Sequence, residues 1–428
     1  MAKNARHSEL VLESQNIEAP YEMPEEWKWC RLGDVVEVLN GYPFKSEKYV
    51  NQGIRVIRIT NVQDGYIEDL KPCFYPEGYS NELSQYTLCE NDLLISLTGN
   101  VGRVALLPKE YLPAALNQRV GCLREKSNQI SKKYIAYYLR QHKFLSDCIK
   151  SSKGTAQLNM STEWLKRYPI PLPPTLAEQE RIVNRIETIF AKLDQAQEKV
   201  QTVLDSFENC KAAILHKAFT GQLKIENEEL TIEDWEEKSF SDLGTSNLGK
   251  MLDANKNTGD EIRYLRNINV RWFDFDLSDL LTMRAKPEEI KKLSVKKGDL
   301  FICEGGEPGR CAVWKDENAD LIFQKAIHRF RPNDGVSSEF VAYVLYYYNQ
   351  IGKLSDYFTG TTIKHLTGQS LAKIPIRIPS LNYQLSIVNF LDTVVEKESR
   401  AKEAAKTVLG QIALLKKSIL ARAFRGEL

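Results

Sequence analysis

The chain repeats itself, and the repeat constrains its fold more than any single motif does. Ile54-Arg-Val-Ile-Arg58 returns as Ile262-Arg-Tyr-Leu-Arg266, an offset of 208 residues. Asn91-Asp-Leu-Leu-Ile95 returns as Gly298-Asp-Leu-Phe-Ile302 at 207, and Tyr134-Ile-Ala-Tyr137 as Phe340-Val-Ala-Tyr343 at 206. Pro169-Ile170 matches Pro375-Ile376 at 206, and Ile214-Leu215 through Ala218-Phe219 and Gly221 recurs from Ile419 to Gly426 at 205. So small a drift describes one ancestral unit duplicated in tandem, and the 428 residues should fold as two copies of one architecture.

Each copy divides in two. Short β-rich runs (Ile54–Ile59, Leu93–Leu97, Leu300–Cys303) alternate with Gly, Pro and Asn turns, with one late helix at about 132–149 and 338–352. That mixture predicts an α+β domain. Prolines then fix extended linkers at Tyr168–Pro174 and Ile374–Pro379, since proline disfavours helix in the residue before it. Thr175 and Glu178 form a capping box, and apolar residues follow at 182, 186, 189, 193, 196, 200, 203, 207, 210 and 214. Alternating steps of four and three are the seam of a coiled coil. The same seam shifted by 205 runs from Ile387 to Ile419, with Glu398 its one polar member, and Gly221 and Gly426 close the two helices. A helix over 175–219 would be ~68 Å long, whereas the link to Trp235 reaches at most ~37 Å. The second helix is therefore expected to run back beside the first, an antiparallel pair with one globular domain at each end. The expected divisions are an N-terminal extension (1–20), a first globular domain (21–174), long helix one (175–223), an acidic connector with the second globular domain (224–380), and long helix two (381–428).

Composition excludes several classes. Phe340–Tyr348 falls short of the ~18 apolar residues that a membrane span needs, and residues 1–20 lack the apolar core of a signal peptide, so a cytoplasmic protein without membrane partners is expected. The 8 cysteines form no CxxC pair and the 5 histidines are scattered, which predicts reduced thiols and no metal site. No methyltransferase Asn-Pro-Pro-aromatic or Asp-Pro-Pro-Tyr motif and no GxGxxG occurs. Gly305–Gly309 lacks the Lys-Ser/Thr of a phosphate loop, and Asp274 and Asp276 lack the partners of a nuclease. A non-enzyme that binds no cofactor of its own is expected. The net charge of +1 hides structure: 21–174 and 238–380 each carry +3 (20 basic against 17 acidic, and 21 against 18), while 224–237 holds seven acidic residues and one basic. With two mildly basic domains on an acidic connector, the net charge of +1 does not exclude a nucleic-acid partner.

The organisation resembles the specificity subunit of Type I restriction–modification enzymes. The resemblance lies in the linker–helix junctions Pro171-Leu-Pro-Pro-Thr-Leu-Ala-Glu-Gln-Glu-Arg-Ile-Val183 and Pro379-Ser-Leu-Asn-Tyr-Gln-Leu-Ser-Ile-Val388. It extends to Gly154-Thr-Ala-Gln-Leu-Asn159 and Gly360–Leu366 upstream, and to the helix ends Ala218–Leu223 and Ala423–Leu428. It covers roughly 24–428 and departs from itself at Tyr383, where the first copy has Glu178. The resemblance implies two target recognition domains, each reading half of a bipartite, asymmetric sequence in double-stranded DNA, with the helices as a ruler between half-sites. It implies docking of two modification subunits, which carry S-adenosylmethionine and methylate adenine N6, and of two restriction subunits. A coiled-coil scaffold presenting two protein-interaction domains is the alternative reading.

Base edges are read by Arg, Lys, Asn and Gln from loops that a scaffold can present. Four pairs of segments qualify. The Gly41–Ser46 loop offers Lys45 and Ser46, and Gly249-Lys250 at the matching offset offers Lys250. The glycine turns offer Asn100 and Arg103 in one copy and Arg310 in the other. A polar cluster holds Gln118 and Arg119, matched by Gln324 and Lys325. The loops before the linkers offer Lys153, Thr155, Gln157 and Asn159, and Lys364 and His365. Each has a plainer explanation: Gly-Arg caps hairpins, and at most one of Arg55 and Arg58 can face DNA from a strand. Tyr134, Tyr137, Tyr138, Tyr343 and Tyr346–Tyr348, at helical spacing, read as core or a subunit interface.

Overall fold

The computed structural model describes residues 19–152, 158–223, 235–253, 257–317 and 319–428. The chain divides into two units, one of residues 1–200 with 406–428, the other of residues 201–405. In the first unit an antiparallel sheet runs in the order Val36–Asn40, Val120–Glu125, Leu93–Ser96, Val104–Leu106. A second sheet runs Phe74–Tyr75, Ile54–Ile57, Ala114–Leu116, Thr87–Leu88, with its central pair parallel. The second unit repeats the plan with Gly244–Leu248, Ile327–Pro332, Leu300–Cys303, Cys311–Val313 and with Leu281–Ala285, Asp260–Leu265, Leu321–Phe323.

The continuous apolar runs now have a cause. A strand sends alternate side chains to opposite faces, and in both units the strand after the Asn91 or Gly298 turn is covered on both. Leu93 and Ile95 enter the core beneath the helix Lys132–Leu139, while Leu94 enters the core with Ile57 and Ala114. Leu300 and Ile302 divide from Phe301 and Cys303 in the same way. A bidentate arginine on a buried aspartate closes each sheet: Arg124 on Asp92 at 2.6 Å and Arg331 on Asp299 at 2.6 Å. The late helix is one piece in the second unit (Ser338–Gln350), but breaks in the first into Lys132–Leu139 and His142–Ser151 at the extended Gln141.

The proline linkers form strands. Pro169–Leu172 pairs with Lys28–Arg31, and Pro375–Ile378 with Glu236–Ser239. The tyrosines are core: Tyr134 and Tyr138 donate to the carbonyls of Pro171 and Pro169 at 2.8 and 2.9 Å, and Tyr348 to that of Pro375 at 2.9 Å.

Two long helices follow, Leu176–Phe219 and Leu381–Ala423, capped by Thr175 and Ser380. The first capping box is half made, because the Glu178 carboxylate turns to Arg181 at 2.8 Å. Gly221 and Gly426 take φ of 69° and 79°, and the bonds Gln222 N–H to Lys217 O and Glu427 N–H to Arg422 O complete Schellman caps. The helices pair antiparallel, Lys416 reaching Asp194 at 2.5 Å in the first unit and Lys402 reaching Glu208 at 2.8 Å in the second. Glu398, the polar exception, is tied to Lys402 at 2.7 Å.

The seam shifts along the pair. Val203, Cys210, Val408 and Leu415, expected inside, are exposed, while Leu204, Lys211, Leu409 and Lys416 are half-buried. Residues 186 and 204, 193 and 211, 391 and 409, and 398 and 416 all stand 18 apart, five turns at 3.6 residues. The covered stripe follows the straight helix and drifts off a strict heptad.

One buried side chain fixes each junction between domain and helix. Gln179 accepts from Ser131 N–H at 2.9 Å and donates to Gln129 O at 3.1 Å. Gln384 accepts from Ser337 N–H at 2.9 Å and donates to the carbonyls of Gly335 and Pro379. The two amides are 1% and 0% exposed. About two turns further on, Tyr137 donates to Glu187 at 3.5 Å, and Tyr343 to Asp392 at 2.6 Å. Gln384→Leu should destabilise the second unit by about 1–3 kcal/mol, because it strands buried backbone groups. Urea unfolding checks this, with the exposed Asn389→Ala as a near-neutral control.

Candidate nucleic-acid interface

In each unit, backbone hydrogen bonds lace four loops into one continuous edge. In the first, Tyr42 N–H donates to Leu116 O at 2.8 Å and Gln118 N–H returns to Tyr42 O at 3.0 Å. Leu97 N–H donates to Arg119 O at 3.0 Å, and Met160 N–H to Leu97 O at 2.8 Å. The second unit repeats each link. Lys250 N–H bonds Phe323 O at 2.9 Å, Lys325 N–H bonds Lys250 O at 2.8 Å, Glu304 N–H bonds Ala326 O at 2.9 Å, and Leu366 N–H bonds Glu304 O at 2.7 Å. The glycines opening the first loop are required by this approach. A Cβ on Gly41 would stand 2.2 Å from the Asn117 carbonyl carbon, and one on Gly249 would stand 2.1 Å from Phe323 O.

The side chains on this edge fall into two groups. Lys45, Ser46, Asn100, Gln118, Arg119 and Asn159 are exposed in the first unit, and Lys325, Lys364 and His365 in the second. Gln324 is half-buried on its bridge with Lys250. Asn159 pairs with Thr98 across a bridge, and the imidazole of His365 lies against Gly305, so the last loop of each unit abuts the glycine turn. Lys45 and Ser46 project from an aromatic bed: Phe44 meets Tyr42 and Tyr75 edge-on at ring separations of 5.0 and 4.9 Å. Tyr42 donates to Glu82, and that bond pushes its hydroxyl up to about 12.

The second group is already engaged. Lys250, with 11% of its side chain exposed, pairs with Glu289 at 2.5 Å, and this bond pulls the Glu289 carboxyl below its usual range. Arg103 donates to Gln63 at 2.6 Å. Arg310, 12% exposed, spans Glu307 at 2.6 Å and the Asn267 carbonyl at 2.9 Å. These arginines clasp the glycine turn to the neighbouring loop, the hairpin-capping alternative that the sequence offered. Arg55 is likewise spent, bonded to Asp69 and set over Phe74 and Tyr111. Lys153, Thr155 and Gln157 lie outside the described residues.

Sequence reasoning passed over the centre of the edge, Thr98 and Glu304, because neither falls in a recognisable motif. It also passed over Gln179 and Gln384, although both stand at the repeat offset of 205. Among the described residues there is no helix long and apolar enough to cross a membrane, and no cluster of His, Cys, Asp or Glu that could hold a metal ion.

Comparison with known proteins places this geometry. The family model described as the Type I restriction modification DNA specificity domain matches twice, at 24–204 and 232–408. The EcoBI specificity subunit of Escherichia coli is 23% identical over 100% of this chain and 91% of its own length. The EcoAI specificity subunit of Escherichia coli is 31% identical over 43% of this chain, a match spanning 32% of that relative. The HsdS subunit from Thermoanaerobacter tengcongensis has the same fold at a TM-score of 0.65 and 18% identity, covering 96% of this chain and 99% of that one. A chain from a Type I system, solved in a study of complex assembly and conformational transition, matches at a TM-score of 0.70 and 18% identity over 96% and 100%. With two matched domains covering most of its length, the chain belongs to the Type I restriction–modification specificity subunits, the non-catalytic members that carry two recognition domains.

Proposed function

We propose that each unit reads one half of a bipartite, asymmetric sequence in duplex DNA, and that the paired helices set the gap between the halves. In the same reading the chain docks two modification subunits, which supply S-adenosylmethionine and adenine N6 methylation, and two restriction subunits. The observation that carries this is the laced edge, built at equivalent positions in both units but clothed in different side chains. Equivalent placement suits two readers of one duplex, and unlike side chains suit two different half-sites. The proposed contacts are Lys45, Ser46, Asn100, Gln118, Arg119 and Asn159 from the first unit, and Gln324, Lys325, Lys364 and His365 from the second. Lys250, Arg103 and Arg310 shape the loops and act on DNA only through them.

Methylome sequencing of a host with and without the chain tests the role directly. One bipartite adenine motif should vanish when the chain is removed, and unchanged methylation sinks the reading. Arg119→Ala should weaken binding by about tenfold and relax one base position. Arg310→Ala should instead lower thermal stability with little change in the motif. Binding curves and melts on both variants separate the two. For the ruler, inserting seven residues after Val200 and after Gly410 keeps the phase and adds ~10 Å. The preferred gap should grow by about three base pairs, and an unaltered gap removes that role.

A further inference from the structure

The laced edge of the second unit carries large apolar side chains that stand exposed among the described residues. Met251, Leu252 and Ile363 are 55, 58 and 66% exposed. None sits on a loose strand of chain. Met251 and Leu252 directly follow Lys250, whose N–H and carbonyl are both bonded into the 323–325 turn. Ile363 lies in the turn closed by two mutual backbone bonds between Thr359 and His365, at 2.8 and 2.9 Å. Its carbonyl packs so closely on Gly360 that a Cβ there would stand 2.2 Å away. The first unit handles the equivalent positions differently. Pro43 and Phe44 replace Met251 and Leu252 at the offset of 208, and Phe44 turns into the aromatic bed, leaving Lys45 and Ser46 outward.

Exposed Lys325 and Lys364 share this edge with the apolar groups. Lysines of that kind complement phosphate, and beside them the major groove offers one apolar partner, the C5 methyl of thymine. Resting on the DNA-reading role proposed above, we infer that the second unit recognises its half-site through contact of Met251, Leu252 and Ile363 with thymine methyl groups, whereas the first uses the polar ends of Gln118 and Arg119. The two half-sites then differ in the chemistry by which they are read, as well as in their bases. The second contains A·T pairs where these three side chains meet it.

Deoxyuridine in place of thymidine removes that methyl and leaves every hydrogen-bonding group unchanged. The chain, reconstituted with its modification subunits, is titrated on its methylated motif with thymines replaced in one half-site at a time. Affinity should fall by about fourfold for each contacted methyl, in one half-site only. The loss should disappear in the M251S/L252S/I363S variant, whose first half-site binding is unchanged. The single variants serve if the triple one melts early. Uracil tolerated in both half-sites, uracil sensitivity that survives the substitutions, or a second half-site without A·T pairs overturns the inference. A complex that binds no bipartite sequence refutes the DNA-reading role itself, and that result is visible before any uracil is introduced.

Discussion

A carboxamide buried at the start of each long helix has to be satisfied at both its oxygen and its nitrogen, and only one placement of the domain satisfies it. Gln179 and Gln384 take the N–H of the serine that caps the domain's own helix and return a bond to a carbonyl two residues earlier. An amide in so dry a position fixes direction as well as distance. The tyrosine–carboxylate tie about two turns along the helix, Tyr137 to Glu187 and Tyr343 to Asp392, adds a second point of attachment that opposes rotation about the first. The angle at which each domain's laced edge stands to its own helix is set at this joint.

Duplication leaves a record of which interactions the architecture cannot lose. The carboxamide joint, the tyrosine tie, the arginine pair on Asp92 and Asp299, the glycine approaches at 41 and 249, and the Schellman caps all survive in both copies. Side chains on the laced edge do not. Arg119 faces Ala326 across the repeat, and Gln118 faces Lys325. The split is physical. Buried polar groups without partners are penalised in every sequence background, while exposed loop positions are held only by what they touch.

Much of the fold was legible because periodicity reports burial. The double outline, the long helices and the β-rich runs at Leu93 and Leu300 follow from spacing alone. Two features resisted. The seam drifts because the helices run close to 3.6 residues per turn, so a heptad counted from Ile182 leaves Val203 and Val408 outside. The candidate site was legible as loops but not as side chains. Lys250, Arg103 and Arg310 look like DNA ligands in sequence, and each meets an intramolecular partner distant enough, Glu289, Gln63 and Asn267, that spacing could not reveal it. Conversely, Met251, Leu252 and Ile363 would be assigned to a core by composition.

The cores of the two units are finished by borrowed residues. Leu420, Ala423 and Phe424 complete the first, Phe424 lying edge-on to Tyr134 and Tyr138 at 5.0 and 5.2 Å. Leu215, Ala218 and Phe219 complete the second, with Phe219 against Phe340 and Tyr347. During synthesis the first domain therefore emerges with an open hydrophobic slot and keeps it until a segment almost three hundred residues downstream from Tyr134 has left the ribosome. Until then the rings of Tyr134 and Tyr138, buried under Phe424 in the finished fold, have no apolar cover from the last helix, so the first domain reaches its final packing only when the whole chain is made.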